Sequence, residues 1–333
     1  MSGPAGPMAP LRRLLMRATT PSEYPSPSET SSAPPTVLLE IAADGGTAVG
    51  FGHVGRCVAL WEELGDESVF RISDPLAAEF LRARGATVAP GPVEAPIVLL
   101  DRIAPTGEAE VRALQAGGRR VVLLDDLGSG RSAADLVIDP PTAAEWPTAH
   151  VRLAGFEHVL LRREVRNATR ERGTVTLLSM GGSDPTGLTP PLAAALARSG
   201  IEPTVALGPG YRGVRPAAGH LLPGPEAFVE ALASSAVLVA GFGHSLLEAA
   251  HLGVPAIAVV ARPEHRKHAE AFCQAGTAVL VDMSNGPEPD ELVAQVRALH
   301  GDPERREAMA SRGRALVDGR GAERIAHAIR RLA

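Results

Sequence analysis

From Thr36 onward, short apolar runs alternate with amphipathic stretches. The apolar runs at 37–42, 68–72, 98–100, 121–124 and 136–138 have strand length. They are continuous rather than alternating, the pattern of strands buried on both faces of a parallel sheet. Helices are predicted between them, through 55–64 and over 75–84, the second ended by Gly85. The pattern restarts after a basic, irregular stretch at 162–172. Strands are then predicted at 175–178, 205–207, 237–240 and 256–260. Helices are predicted at 189–199, 226–234, 245–252, 264–275 and 290–299, and the Arg-rich stretch 303–332 is helical by pattern. Such alternation predicts an α/β chain with two parallel sheets and helices on both faces. The expected division is an N-terminal Rossmann-like domain over 36–162 and a C-terminal one over 163–333, with a hinge within 161–173. Two such domains facing each other place ligands in a central cleft, at the carboxyl ends of the strands.

Residues 1–35 break the pattern. The segments 1–10 and 22–35 are rich in Pro, Ser and Gly, bury little, and are expected to be a disordered extension. Leu14-Leu15-Met16 is shorter than the apolar core of about 7–15 residues that a signal peptide needs, so no export is predicted. Met16 is an alternative start. Composition agrees with two globular domains: 333 residues, 45 % apolar, 21 % charged and a net charge of −5. There is no basic surplus for nucleic acid, and 3 % aromatics is little for a base-stacking surface. No apolar run approaches the ~20 residues that span a bilayer. Cys57 and Cys273 are expected as reduced thiols of a cytoplasmic protein. The oligomeric state stays open.

Three glycine-rich turns carry the candidate chemistry. Gly50-Phe51-Gly52-His53-Val54-Gly55-Arg56-Cys57 follows a strand and opens a helix. Its glycines admit close backbone approach, a helix N-terminus favours anions, and His53 is either a general base or a packing residue. Met180-Gly181-Gly182-Ser183-Asp184-Pro185-Thr186 is either a diphosphate-binding turn or a plain Asp-capped one. Gly241-Phe242-Gly243-His244-Ser245-Leu246-Leu247-Glu248 places Ser245 for a phosphate. Glu248 fits either a capping box or a carboxylate for two ribose hydroxyls. His265 and His268, with Glu264, fit an exposed helix face better than a metal site. Asp125-Asp126 at a strand end is a second-rank candidate for metal or sugar. No metal and no cofactor are expected.

Taken in order, these motifs resemble the nucleotide-sugar hydrolases of pseudaminic acid biosynthesis and the related spore-coat polysaccharide proteins. The resemblance starts at Val49–Cys57 with Asp44 ahead of it and continues at 122–126, 155–163, 179–184 and 240–255. It covers about residues 37–280. That family is in turn similar to glycosyltransferases of the GT-B fold, above all the peptidoglycan N-acetylglucosaminyltransferase. It implies a GT-B-like fold of two Rossmann-type domains and the release of UDP from a UDP-activated amino or deoxy sugar. It implies His53 as the base that activates water, Ser245 and Glu248 on phosphate and ribose, and Gly181, Gly182 and Ser183 along the nucleotide. Asp44, Gly50, Gly52, Arg56 and Gly243 complete the expected substrate-binding set. The chain departs from the family at Ala42, Asp101-Arg102-Ile103, His158 and Glu264-His265, three of them positions expected to touch sugar or base. Glycosyl transfer to a polysaccharide or natural-product hydroxyl is therefore the alternative, and a non-catalytic nucleotide-binding or partner-binding protein the third reading.

Overall fold

The computed structural model describes residues 37–46, 50–139, 151–171 and 173–333. The predicted N-terminal extension lies outside the described residues. The first half runs β1 (Leu39–Ala43), α1 (Gly52–Leu64), β2 (Ser68–Arg71), α2 (Pro75–Arg82), β3 (Val88–Ala89), β4 (Ile97–Asp101), α3 (Glu108–Ala116), β5 (Arg120–Leu124), β6 (Leu136–Ile138) and β7 (Val151–Leu153). A short α4 (Arg163–Arg166) leads into β8 (Val175–Ser179), α5 (Thr189–Arg198), β9 (Thr204–Val205), β10 (His220–Leu221), α6 (Phe228–Ala233) and β11 (Ser235–Gly241). The chain ends with α7 (His244–Leu252), β12 (Ala256–Val260), α8 (Arg266–Gln274), β13 (Ala278–Asp282), α9 (Pro289–Gly301), α10 (Pro303–Leu316) and α11 (Gly321–Arg330).

Among the described residues the strands form a seven-stranded sheet, β3-β2-β1-β4-β5-β6-β7, and a six-stranded sheet, β10-β9-β8-β11-β12-β13. The pairings are parallel throughout. The central strands β1, β4, β11 and β12 are buried along nearly their whole length, as continuous apolar runs in a doubly covered sheet require. Glu40 is the exception in β1, fully buried, its charge met by Arg71 and by Arg119 at 3.0 Å.

Several elements are not expected from the pattern. Helix α3 buries only Val111, too little for a helical stripe to show. Strands β3, β7, β10 and β13 are short or half-buried and lie at or near the outer ends of the sheets. The 303–332 stretch is two helices, parted near Gly319, whose φ of +82° suits glycine. Helix α11 returns to the first sheet. Its Ala322, Ile325, Ala326 and Ile329 form one stripe and join the core that holds Leu60, Leu64 and Leu39.

Candidate active site

In each sheet the strand order reverses once, between β1 and β4 and between β8 and β11. At such a reversal neighbouring connections leave toward opposite faces and open a crevice beyond the strand ends. The three glycine-rich turns leave three of these four strands, β1, β8 and β11. Asp44 follows β1, and Phe51–Arg56 begin α1. Gly181–Ser183 follow β8, and Gly241–Ser245 join β11 to α7. The first and second lobes meet here: the backbone nitrogen of Phe51 lies 3.8 Å from where a Cβ on Gly182 would stand.

His53, in the first turn of α1, lies with Nδ1 2.6 Å from Asp101 Oδ1 at the end of β4. The carboxylate selects the tautomer with the proton on Nδ1, which leaves the Nε2 lone pair free to accept a proton. Arg56, one turn on, donates to Asp101 through Nε at 2.8 Å and Nη2 at 2.5 Å, and to Asp125 through Nη1 at 2.8 Å. Arg56 Nη2 and His53 Nδ1, 3.2 Å apart, are two donors sharing one acceptor oxygen, not partners of each other. The Cys57 thiol donates to Asp101 at 3.3 Å. Asp101 is fully buried. Burial alone would raise its carboxyl, but the Arg56 guanidinium and the His53 ring outweigh it and hold it well below the usual range. Burial and Asp101 push the Cys57 thiol up, so it is an inert packing group. Asp125 leaves β5 with φ +53°, a backbone conformation costly for a residue with a Cβ, and this brings its carboxylate to Arg56.

Asp44 ties the exits of β1 and β4 together: its N–H donates to the Asp101 carbonyl at 2.9 Å and its Oδ2 accepts from the Ile103 N–H at 2.9 Å. Gly50, φ +81°, pairs with Gly46 through one antiparallel bridge. Gly52 has open space where a side chain would be. Asp126 is buried, accepting from the Thr106 N–H and hydroxyl and from the Gly128 N–H at 2.7 Å, which makes it a turn-forming residue.

In the second lobe Gly181 (φ +89°) and Gly182 are exposed, with Ser183 half-buried beside them. Asp184, φ +43°, accepts from the N–H groups of Leu188 at 3.1 Å and Thr189 at 2.8 Å and so caps α5. Helix α7 opens on Gly243 with no capping side chain, so the N–H groups of its first turn have no side-chain partner there, and Ser245 in that turn is half-exposed. Glu248 is buried, and its Oε1 accepts from Arg162 Nη2 at 2.9 Å. His265 and His268 pack on the Phe242 ring, with centroids 5.4 and 5.2 Å away. Among the described residues no group of three or more His, Cys, Asp or Glu is arranged to hold a metal ion. Nor is any helix there long and apolar enough to cross a membrane.

Two tests arise from this geometry. A Cβ on Gly208 would stand 2.4 Å from the Gly182 backbone. Gly208→Ala is therefore expected to displace the Gly181–Ser183 turn and to cost about 1–3 kcal/mol, read by urea denaturation. Second, Asp101 and Asp139 titrate below their ordinary values. For Asp139, burial is outweighed by its hydrogen bonds to Arg131 and Arg152. At acid pH the folded chain thus binds fewer protons than the unfolded chain. The stabilisation is full above the unfolded carboxylate pKa of about 3.9 and declines as pH falls through the folded values. Thermal melting between pH 7 and pH 3 is expected to show a flat region, then a steep fall below about pH 4.

No known family model matches this sequence, and no curated protein matches it. Solved structures do share its architecture. MurG of Acinetobacter baumannii is 14 % identical with a TM-score of 0.60, over 89 % of this chain and 100 % of that one. The glycotransferase of kitacinnamycin is 15 % identical with a TM-score of 0.62, over 89 % and 99 %. A putative UDP-N-acetylglucosamine 2-epimerase from Listeria monocytogenes is 17 % identical with a TM-score of 0.56, over 88 % and 96 %. At such identities the likeness is one of fold, and with two parallel Rossmann-like sheets the chain has the α/β GT-B fold.

Proposed function

We propose that this protein is an enzyme acting on a nucleotide-activated sugar, and that it transfers the sugar to a hydroxyl acceptor with His53 as general base. The carrying observation is the His53–Asp101 pair, with Nε2 unengaged, on a turn that abuts the Gly181–Ser183 turn of the other lobe. A UDP-sugar is the proposed donor. Its diphosphate would lie against the N–H groups of the Gly181–Ser183 turn and of the α7 start, with Ser245 donating to a phosphate oxygen. Cleavage of the sugar–phosphate bond puts charge on the diphosphate, and fixed N–H dipoles there stabilise it as it forms. His53 would take the proton of the attacking hydroxyl. Asp101 would steady the imidazolium that results. Arg56 is engaged by two carboxylates, so we assign it the holding of Asp101 rather than a direct substrate contact.

Transfer is favoured over hydrolysis by exposed apolar side chains on the first lobe. Three of the exposed large hydrophobics among the described residues, Leu76, Ile103 and Leu127, are each about half exposed, at 47 %, 55 % and 53 %. Each lies two residues along the chain from an aspartate: Ile103 from Asp101, Leu127 from Asp125 and Leu76 from Asp74. Ile103 is tied to Asp44, and Leu127 precedes Gly128, which packs on Thr106. Leu76 follows Asp74, whose carboxylate crowds Gly46. Water needs no such surface, whereas an apolar hydroxyl compound does. The solved glycosyltransferases that share the fold argue the same way. The order expected from the sequence, hydrolysis before transfer, is accordingly reversed. The pseudaminic-type hydrolase is kept as the second reading, since the Gly50–Cys57 motif suits a water nucleophile equally well. One assay separates the two: nucleotide release from a panel of UDP- and TDP-sugars, with and without hydroxyl acceptors of graded polarity. Transfer predicts release that depends on an apolar acceptor. Equal release with water alone favours hydrolysis, and no release with any donor overturns both.

A further inference from the structure

Helix α1 ends on Glu62 and Glu63, where the helix dipole disfavours carboxylates. The compensating groups come from the segment that joins the lobes. The Arg163 N–H donates to Glu62 Oε2 at 2.5 Å, and its guanidinium donates to the Glu62 carbonyl at 2.9 Å. Arg166 donates to Glu63 at 2.7 Å. The side chains of Glu62 and Glu63 are only 12 % and 25 % exposed, so these pairs are partly withdrawn from the water that screens ordinary surface pairs. The same segment holds α7. His244 Nε2 donates to the Leu160 carbonyl at 2.5 Å, and Arg162 donates to the buried Glu248 at 2.9 Å.

Seven consecutive residues thus grip two helices, and each helix begins at the candidate site. Helix α7 starts beside Ser245, and α1 carries His53 in its first turn. A helix of 13 residues is stiff, so a displacement at its last turn is carried to its first.

We propose that residues 160–166 couple the two lobes, with Arg162, Arg163 and Arg166 as positioning residues that set His53 according to the state of Glu248 and α7. The proposal rests on the reading of this cleft as a nucleotide-sugar site only in naming what changes that state. A ligand at the α7 start alters the Arg162–Glu248 pair, the segment shifts, and α1 follows through Glu62 and Glu63. The link is a chain of ion pairs and hydrogen bonds, so removing the side chains at its middle weakens the coupling of its ends.

The test is nitrogen-15 NMR of the His53 imidazole in the full chain, assigned against His53→Gln, with thermal melting of every variant as the check on folding. Glu248→Gln is expected to move the His53 signals without any ligand. The move is expected to shrink when the same change is made beside Arg163→Ala with Arg166→Ala, which removes both guanidiniums, and again beside Glu62→Ala with Glu63→Ala, which removes both carboxylate acceptors from the other end. Calorimetry with UDP is expected to give the same affinity for the Glu62→Ala, Glu63→Ala variant as for the unaltered chain, which damage to the fold would not. A His53 response to Glu248→Gln that is absent, or equal in all three backgrounds, overturns the coupling. If UDP neither binds nor moves any signal in the unaltered chain, the nucleotide reading is what fails, and the Glu248→Gln comparison still decides the coupling.

Discussion

Replacing His53 by alanine is expected to lower turnover of the nucleotide sugar by roughly 10²–10⁴-fold, the contribution of a positioned base, with little change in nucleotide affinity. The split follows from where His53 stands. Its ring is held by Asp101 on the first lobe, while the groups proposed for the diphosphate belong to β8, β11 and α7 of the second. Steady-state kinetics beside UDP calorimetry check it. A loss of affinity matching the loss of rate would make His53 a binding residue instead.

Asp101→Asn is expected to be the most damaging single change to stability near the site. Asp101 is buried at 0 % exposure between the Arg56 guanidinium and the His53 ring N–H, and Arg56 is itself mostly covered, with 15 % of its side chain exposed. Removing one member of a buried pair strands the other, at a cost of about 3–5 kcal/mol. Asp125 remains on Arg56, which places the expectation toward the lower end. Turnover falls as well, because an amide no longer fixes the His53 proton on Nδ1. Urea denaturation measures the first effect. Kinetics on the fraction that stays folded measures the second.

The sequence shows the sheet interiors well because burial on both faces demands unbroken apolar runs. β12 lies where the pattern puts it, and β1, β4 and β8 differ from it by a residue or two. The three turns are equally visible, since glycine followed by a helix start is a local signal. What the chain cannot show locally is aim. Asp101 lies 48 residues from His53, and Glu248 lies 86 from Arg162, so only the sheet order brings them together. The acids ending β4 and β5 can be noticed as strand-end aspartates, but nothing in the spacing says that both face α1. For the same reason the return of α11 to the first core is hidden. Its stripe of Ala322, Ile325, Ala326 and Ile329 declares an apolar face without naming the sheet that covers it. The outer strands fail to stand out because half-buried runs of two to five residues carry no clear period.

The proposed donor site puts a nucleotide diphosphate between the turn after β8 and the start of α7, facing His53. The most direct measurement is amide hydrogen exchange with and without saturating UDP. Slower exchange is expected in 181–183 and 244–246, with the α1 start at 52–56 following. Unchanged exchange at both second-lobe segments, with protection elsewhere or nowhere, would contradict it.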